Sequence, residues 1–142
     1  MEKSFMHHPS SYRDPSGFIF MTEDGLYRQV NKVFAEDFDL FISGGCYKKL
    51  VQEQLLLPHE AINENLTGSA DWHATLKPEP VPFLSYPYEW SFDMLKDAAL
   101  LTLRLVKESV ALGLILKDAT PYNIQWHKDS LVFIDTLSFE RY

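Results

Sequence analysis

A chain of 142 residues, 46% hydrophobic and 23% charged, is long enough to bury one core and is composed like an ordered globular protein, which excludes a disordered or a membrane chain. A formal net charge of -7 gives a field that repels phosphate backbones and anionic lipid surfaces, so neither nucleic acid nor a membrane is an expected partner. One cysteine, Cys46, excludes an internal disulfide; with no charged-then-apolar leader, the chain reads as a cytoplasmic protein of a reducing compartment.

Residues 1–16 are rich in Ser, Pro, His and charge and read as a loosely held arm. Adjacent His7 and His8 in such an arm are ordinarily no metal site. Two apolar runs, Gly17–Met21 and Leu26–Val30, flank Glu23-Asp24-Gly25, whose residues accept a tight turn, and predict a β-hairpin carrying Arg28 on its second strand. From Phe34 to Ile42 the acidic and aromatic pattern fits either a short helix or an irregular connection, and Gly44-Gly45 breaks it. Tyr47, Leu50, Val51, Gln54 and Leu55 then fall on a helical stripe of roughly three turns that must stop before Pro58.

Prolines, Asn, Gly and Ser between Pro58 and Pro82 predict loops, with Trp72 and Leu76 packing down. Val81–Tyr86 reads as a short buried strand and Pro87–Trp90 as a hinge. Ser91 as N-cap, Asp93 in the first turn and Gly113 as the left-handed terminator bound the longest helix. Its expected buried stripe is Phe92, Leu95, Ala98, Ala99, Leu103, Val106 and Val110, widened by Leu100 and Leu101. A strand at Leu114–Leu116 follows, then a polar loop, then strands Asn123–Trp126 and Leu131–Ile134 joined by a turn.

Helix, strand, Asp-x-x-x-x-Asn, strand, turn, strand, Asp is an ordered set, and phosphoryl transfer explains every part of it. A base must reach the attacking hydroxyl, and Mg²⁺ must bridge phosphate oxygens, so an acid and two further oxygen ligands have to converge. Asp118 and Asn123 stand at the two ends of one loop, and the hairpin returns the chain to Asp135. An acid between Phe133-Ile134 and Leu137 is costly to bury without a cation or donors; the plainer reading is that it caps a turn.

Asp118-Ala119-Thr120-Pro121-Tyr122-Asn123 with Asp135 resembles the protein-kinase catalytic loop and the Asp-Phe-Gly segment, and is similar to the antibiotic-phosphotransferase variant, with Pro121 at the kinase proline. The resemblance implies an α+β, truncated kinase-like fold: a β-rich N-lobe with one helix over 17–86, a hinge, and a partial C-lobe over 87–142 with a long helix and the catalytic-loop hairpin. It implies Asp118 as catalytic base, Asn123 and Asp135 as metal ligands, Mg²⁺ and ATP as cofactors, and Arg28 in place of the phosphate-holding lysine with Glu53 as its partner. Tyr86, Tyr88 and Trp90 could edge an adenine pocket or belong to the core. Leu116-Lys117 in place of His-Arg, Thr136-Leu137 in place of Phe-Gly, and a hairpin without a glycine-rich loop depart from the pattern.

Nearly the whole chain, through Tyr12–Gly17, Leu26–Val30, Ser85–Phe92 and Phe133–Phe139, also resembles the N-terminal region of bacterial proteins named as SAM-dependent methyltransferases, including nodulation-type ones. No glycine-rich strand-to-helix turn that would hold SAM occurs here. That resemblance implies a methyltransferase domain as partner and an accessory role as the alternative to nucleotide chemistry, while the faces of the long helix that a truncated C-lobe leaves exposed make a homodimer or docking onto a further domain an expectation.

Overall fold

The computed structural model describes the backbone of Met6 and His7, and residues 14–142 in full. His8 and most of the expected arm lie outside the described residues. Contacts divide the chain into two compact units, the first comprising the described residues up to Phe38 with Pro58–Glu79, the second Asp39–Leu57 with Pro80–Tyr142.

The first unit is built on an antiparallel sheet of five strands in the order β1-β2-β3-β5-β4: β1 (Met6–His7), β2 (Gly17–Thr22), β3 (Gly25–Asn31), β4 (His59–Ile62) and β5 (Trp72–Pro78). The β2–β3 hairpin is the predicted one, turning through Glu23-Asp24. Alternation along β3 sends Tyr27 and Gln29 to one face and Arg28 and Val30 to the other, and the register sets Arg28 opposite Leu76. Phe20 stacks on Tyr27 at 5.7 Å between ring centroids. Gln29 is fully buried but satisfied: its amide donates to Asn31 Oδ1 at 2.9 Å, and its oxygen accepts from the Thr67 hydroxyl. Trp72 Nε1 donates to Thr75 Oγ1 (2.8 Å), which in turn donates to the Glu64 carbonyl (2.7 Å), so polar bonds tie the loop between β4 and β5 to the sheet.

A 3₁₀ turn at Lys32–Phe34 leads into α1 (Ala35–Ser43), within which the division between units falls. The second unit then contains α2 (Cys46–Gln52), α3 (Phe92–Ala111) and two antiparallel strand pairs, β6 (Leu114–Leu116) with β9 (Phe139–Arg141) and β7 (Ile124–His127) with β8 (Ser130–Phe133). Between α1 and α2, Gly44 is required by space: a Cβ there would meet the Leu40 carbonyl oxygen at 2.6 Å. One core gathers Phe41, Leu50, Leu105, Leu114, Ile124, Phe133 and Phe139. Within it Phe41 stacks on Phe139 at 4.7 Å, and Phe133 meets Phe139 edge-on at 5.9 Å. Ion pairs from Lys49 to Glu108 and from Arg104 to Glu53 (3.4 Å) join α2 to α3. Among the described residues no helix is long and apolar enough to cross a membrane.

α3 begins and ends where expected: Ser91 Oγ accepts from the Met94 N–H at 3.3 Å, and Gly113 takes φ +80° just past the end. Four expectations need correction. The region between Pro58 and Pro82 is not loop alone but also supplies β4 and β5, because its prolines stand beside or at the ends of strands, where a missing N–H costs no ladder bond. Residues 81–86 form no strand: Phe83 and Leu84 are exposed, and the Ser85 backbone bonds to a side chain instead of a neighbouring strand. The helix after Gly45 has seven residues, and Leu55–Leu57 leave it to run beside β8, with Phe133 N donating to Leu55 O (2.9 Å) and Leu57 N to Phe133 O (2.8 Å).

The fourth correction is the buried face of α3. Ala98, Leu101, Leu105 and Ser109 point into the core, while Phe92, Leu95, Leu103 and Val110 are exposed. The packed face lies roughly a third of a turn round the helix from the expected stripe. Of the expected stripe, Ala98 is buried and Val106 packs partly against the core, and small Ala98 and Ser109 allow close approach on the packed face.

Candidate functional site

Asp118 leaves the end of β6, and Asn123 precedes β7. The loop between them is closed locally: Asp118 Oδ1 accepts from Thr120 N–H (3.4 Å), Thr120 Oγ1 accepts from Tyr122 N–H (3.4 Å), and Asn123 Nδ2 donates to the Asp118 carbonyl (3.5 Å). Thr120 is extended, as a residue before proline prefers, and Pro121 starts a 3₁₀ turn at the position where its missing N–H is not needed. Asp118 is exposed and Asn123 half-buried.

Asp135 follows β8 and caps the 3₁₀ turn Thr136–Ser138. Its Oδ1 accepts from Leu137 N–H at 3.1 Å and its Oδ2 from Ser138 Oγ at 2.6 Å. The expected turn-capping function of this acid is therefore present. The loop and the capped turn are clamped together at both ends: Lys117 N–H donates to Ser138 O at 2.7 Å, and Ile134 N–H donates to Asn123 O at 2.8 Å. Two backbone bonds thus fix Asp118 and Asn123 beside the segment that carries Asp135.

Ser138, fully buried, escaped the sequence reading although it holds Asp135 and receives Lys117. The spacing Asp135-Thr136-Leu137-Ser138, an acid three residues before a hydroxyl, was the signal. Of the remaining expected residues, Glu53 caps the end of α2 and pairs with Arg104, and Tyr88 is exposed in the 3₁₀ turn Pro87–Glu89, stacked on Tyr86 at 5.5 Å. Arg28 belongs to the first unit, half-buried on β3. Its charge adds to burial in pushing the pKa of His59 down to about 4.

Oxygen donors are what a small hard cation takes, and Mg²⁺ needs only one or two carboxylates beside its waters and phosphate ligands. Asp135 with the amide oxygen of Asn123 belongs to that donor class, a carboxylate and a neutral carbonyl oxygen. Among the described residues no group of three or more His, Cys, Asp and Glu is arranged to hold a metal by itself.

An α+β arrangement with a five-stranded antiparallel sheet, a long helix and a loop-and-hairpin site is a protein-kinase-like fold. The solved structure of vaccinia related kinase 3 aligns with all of this chain and 52% of its own at a TM-score of 0.54, with 13% sequence identity. Among curated proteins, the nodulation protein NoeA of Rhizobium meliloti (strain 1021) is 34% identical over 136 residues, which is 93% of this chain. The chain spans 28% of the length of that relative. No protein-family model matches.

Proposed function

We propose that this chain is a kinase-like domain of phosphotransferase type that binds a Mg²⁺-nucleotide, ATP in the first instance. The observation that carries the reading is the double backbone clamp between the Asp118–Asn123 loop and the Asp135 turn. Such a clamp keeps three oxygen-bearing residues near one another without relying on a ligand. In this reading Asn123 and Asp135 hold the metal, Asp118 stands as base to the acceptor hydroxyl, and Tyr88 borders the base of the nucleotide. The ion, when bound, neutralises charge on the phosphate oxygens. The protein's own part is to orient the acceptor and to keep Asp118 accessible to a proton, which suits its exposed position.

A second reading has a specific observation behind it. Both Asp135 oxygens are engaged by their own turn, as in a purely structural cap, and the chain spans 28% of a longer relative. The chain would then be a non-catalytic accessory domain of a methyltransferase-type protein. Thermal unfolding with and without millimolar Mg²⁺-ATP separates the two. A nucleotide-binding domain shifts its Tm upward by mass action, and Asp135→Asn, which keeps a capping oxygen, loses the shift while unfolding close to the wild-type temperature. An unshifted wild type favours the accessory reading. Phosphate transfer that survives Asp118→Ala would remove that residue from the chemistry.

A further inference from the structure

A cavity of about 500 Å³ opens in the second unit, lined by Pro82, Phe83, Leu84, Ser85, Met94, Trp126, His127 and Lys128. It shares no residue with the Asp118, Asn123 and Asp135 cluster. Its size falls within the roughly 300–1,000 Å³ of small-molecule sites.

Each wall is fixed by a different bond. The 82–85 wall is pinned by Gln125, whose buried amide bonds both ways to the Ser85 backbone: Oε1 accepts from Ser85 N–H at 2.9 Å, and Nε2 donates to Ser85 O at 3.0 Å. Buried Trp90 adds a bond from Nε1 to Ser85 Oγ at 2.9 Å. Met94 lies in the capped first turn of α3, and Trp126 and His127 end β7 where it enters the hairpin turn. That turn is tight: Lys128 and Asp129 both take the left-handed conformation, with φ +48° and +66°.

Phe83, 85% exposed, and Trp126, 48% exposed, lie outside the core, so the two aromatic rings are available to a ligand. The charge of the lining is also unusual. Acidic residues outnumber Lys and Arg by 20 to 13 in the chain, yet among the described residues that line the cavity none is a carboxylate, and the ionisable ones are His127 and Lys128.

We propose that this cavity is a binding site for a small amphiphile with a planar apolar body and one anionic group, such as an aromatic carboxylate. Phe83, Trp126 and Met94 would cover the apolar body, the rings by offset stacking or edge contact and the thioether against an aromatic edge. Lys128 would meet the anion as a point charge.

Binding of 2-naphthoate, with neutral 2-naphthamide as its partner probe, tests this by following the three tryptophan indole N–H signals of the ¹⁵N-labelled chain. The Trp126 signal, assigned through Trp126→Phe, is expected to move saturably with 2-naphthoate while that of Trp72 stays in place. Phe83→Ala, a change at an exposed side chain, should weaken 2-naphthoate at least tenfold. Lys128→Asn keeps a residue that tolerates the left-handed turn and should weaken 2-naphthoate severalfold while leaving 2-naphthamide unchanged. A Trp126 signal unmoved at millimolar probe, or an unaltered affinity in Phe83→Ala, overturns the site. Equal affinity for the two probes overturns the anionic class. None of these readouts involves Mg²⁺ or nucleotide, so the outcome is independent of the phosphotransfer reading.

Discussion

His59 enters β4 opposite Pro78, on the sheet face that also carries Arg28 and Leu76. Burial, with the Arg28 charge adding to it, lowers its pKa from 6.5 to about 4. The neutral imidazole is thus the folded form. Above pH 6.5 neither state binds the proton; between 6.5 and about 4 the unfolded chain binds more of it, so stability falls as pH falls through that window and then levels. At about 1.4 kcal/mol per pH unit the full loss is about 3 kcal/mol. Urea unfolding at pH 7.5 and pH 5 should show the wild type losing about 2 kcal/mol more than His59→Gln, and parallel losses would disprove the assignment. Cys46 gives a second residue-scale expectation. Burial pushes its thiol up to about 11 against the smaller opposing effect of Lys49. A disulfide reagent such as Ellman's should therefore leave the native thiol untouched for as long as the urea-unfolded chain takes to react completely. Rapid native labelling would mean that the α2 start opens easily.

At the scale of the element, α3 separates apolar composition from burial. Leu105 is fully buried and Leu103 is 66% exposed, two residues apart on one helix. Leu105→Ala should cost about 2–5 kcal/mol by leaving a cavity, whereas Leu103→Ala should stay within about 0.5 kcal/mol. Ser91→Ala removes the acceptor for Met94 N–H and should cost about 1 kcal/mol. Equal denaturation midpoints for the two leucine variants would mean that the helix packs by the face its sequence favours. The helix ends were legible because caps are local: Ser91 and Gly113 act through their own turns. Its rotation was not legible, since the choice between two apolar faces is made by Phe41, Leu50 and Phe133 on distant segments.

For the molecule as a whole, both hairpins, the long helix and the order of the site residues could be read from sequence, because turn chemistry and periodicity act over a few residues. The clamps from Lys117 to Ser138 and from Asn123 to Ile134, and the pairing of β6 with β9, join residues 11 to 27 positions apart and left no local mark. The same long-range choice of faces leaves Phe92, Leu95, Leu103 and Val110 as an uncovered stripe along a helix of 20 residues, about 30 Å long. Such patches on soluble chains ordinarily meet something. A second copy pairing stripe to stripe would bury on the order of 300 Å² on each side, well short of the roughly 800 Å² of a stable interface, so the contact should be weak and concentration-dependent. Sedimentation velocity should then show this chain as a monomer at micromolar and partly associated at several hundred micromolar concentration. Leu103→Glu should abolish that association and leave the Tm unchanged, because a charge on an exposed helix face has no desolvation to oppose it. Association that persists undiminished in Leu103→Glu would place the contact elsewhere on the surface, and a drop of many degrees in Tm would show Leu103 to be part of the core after all.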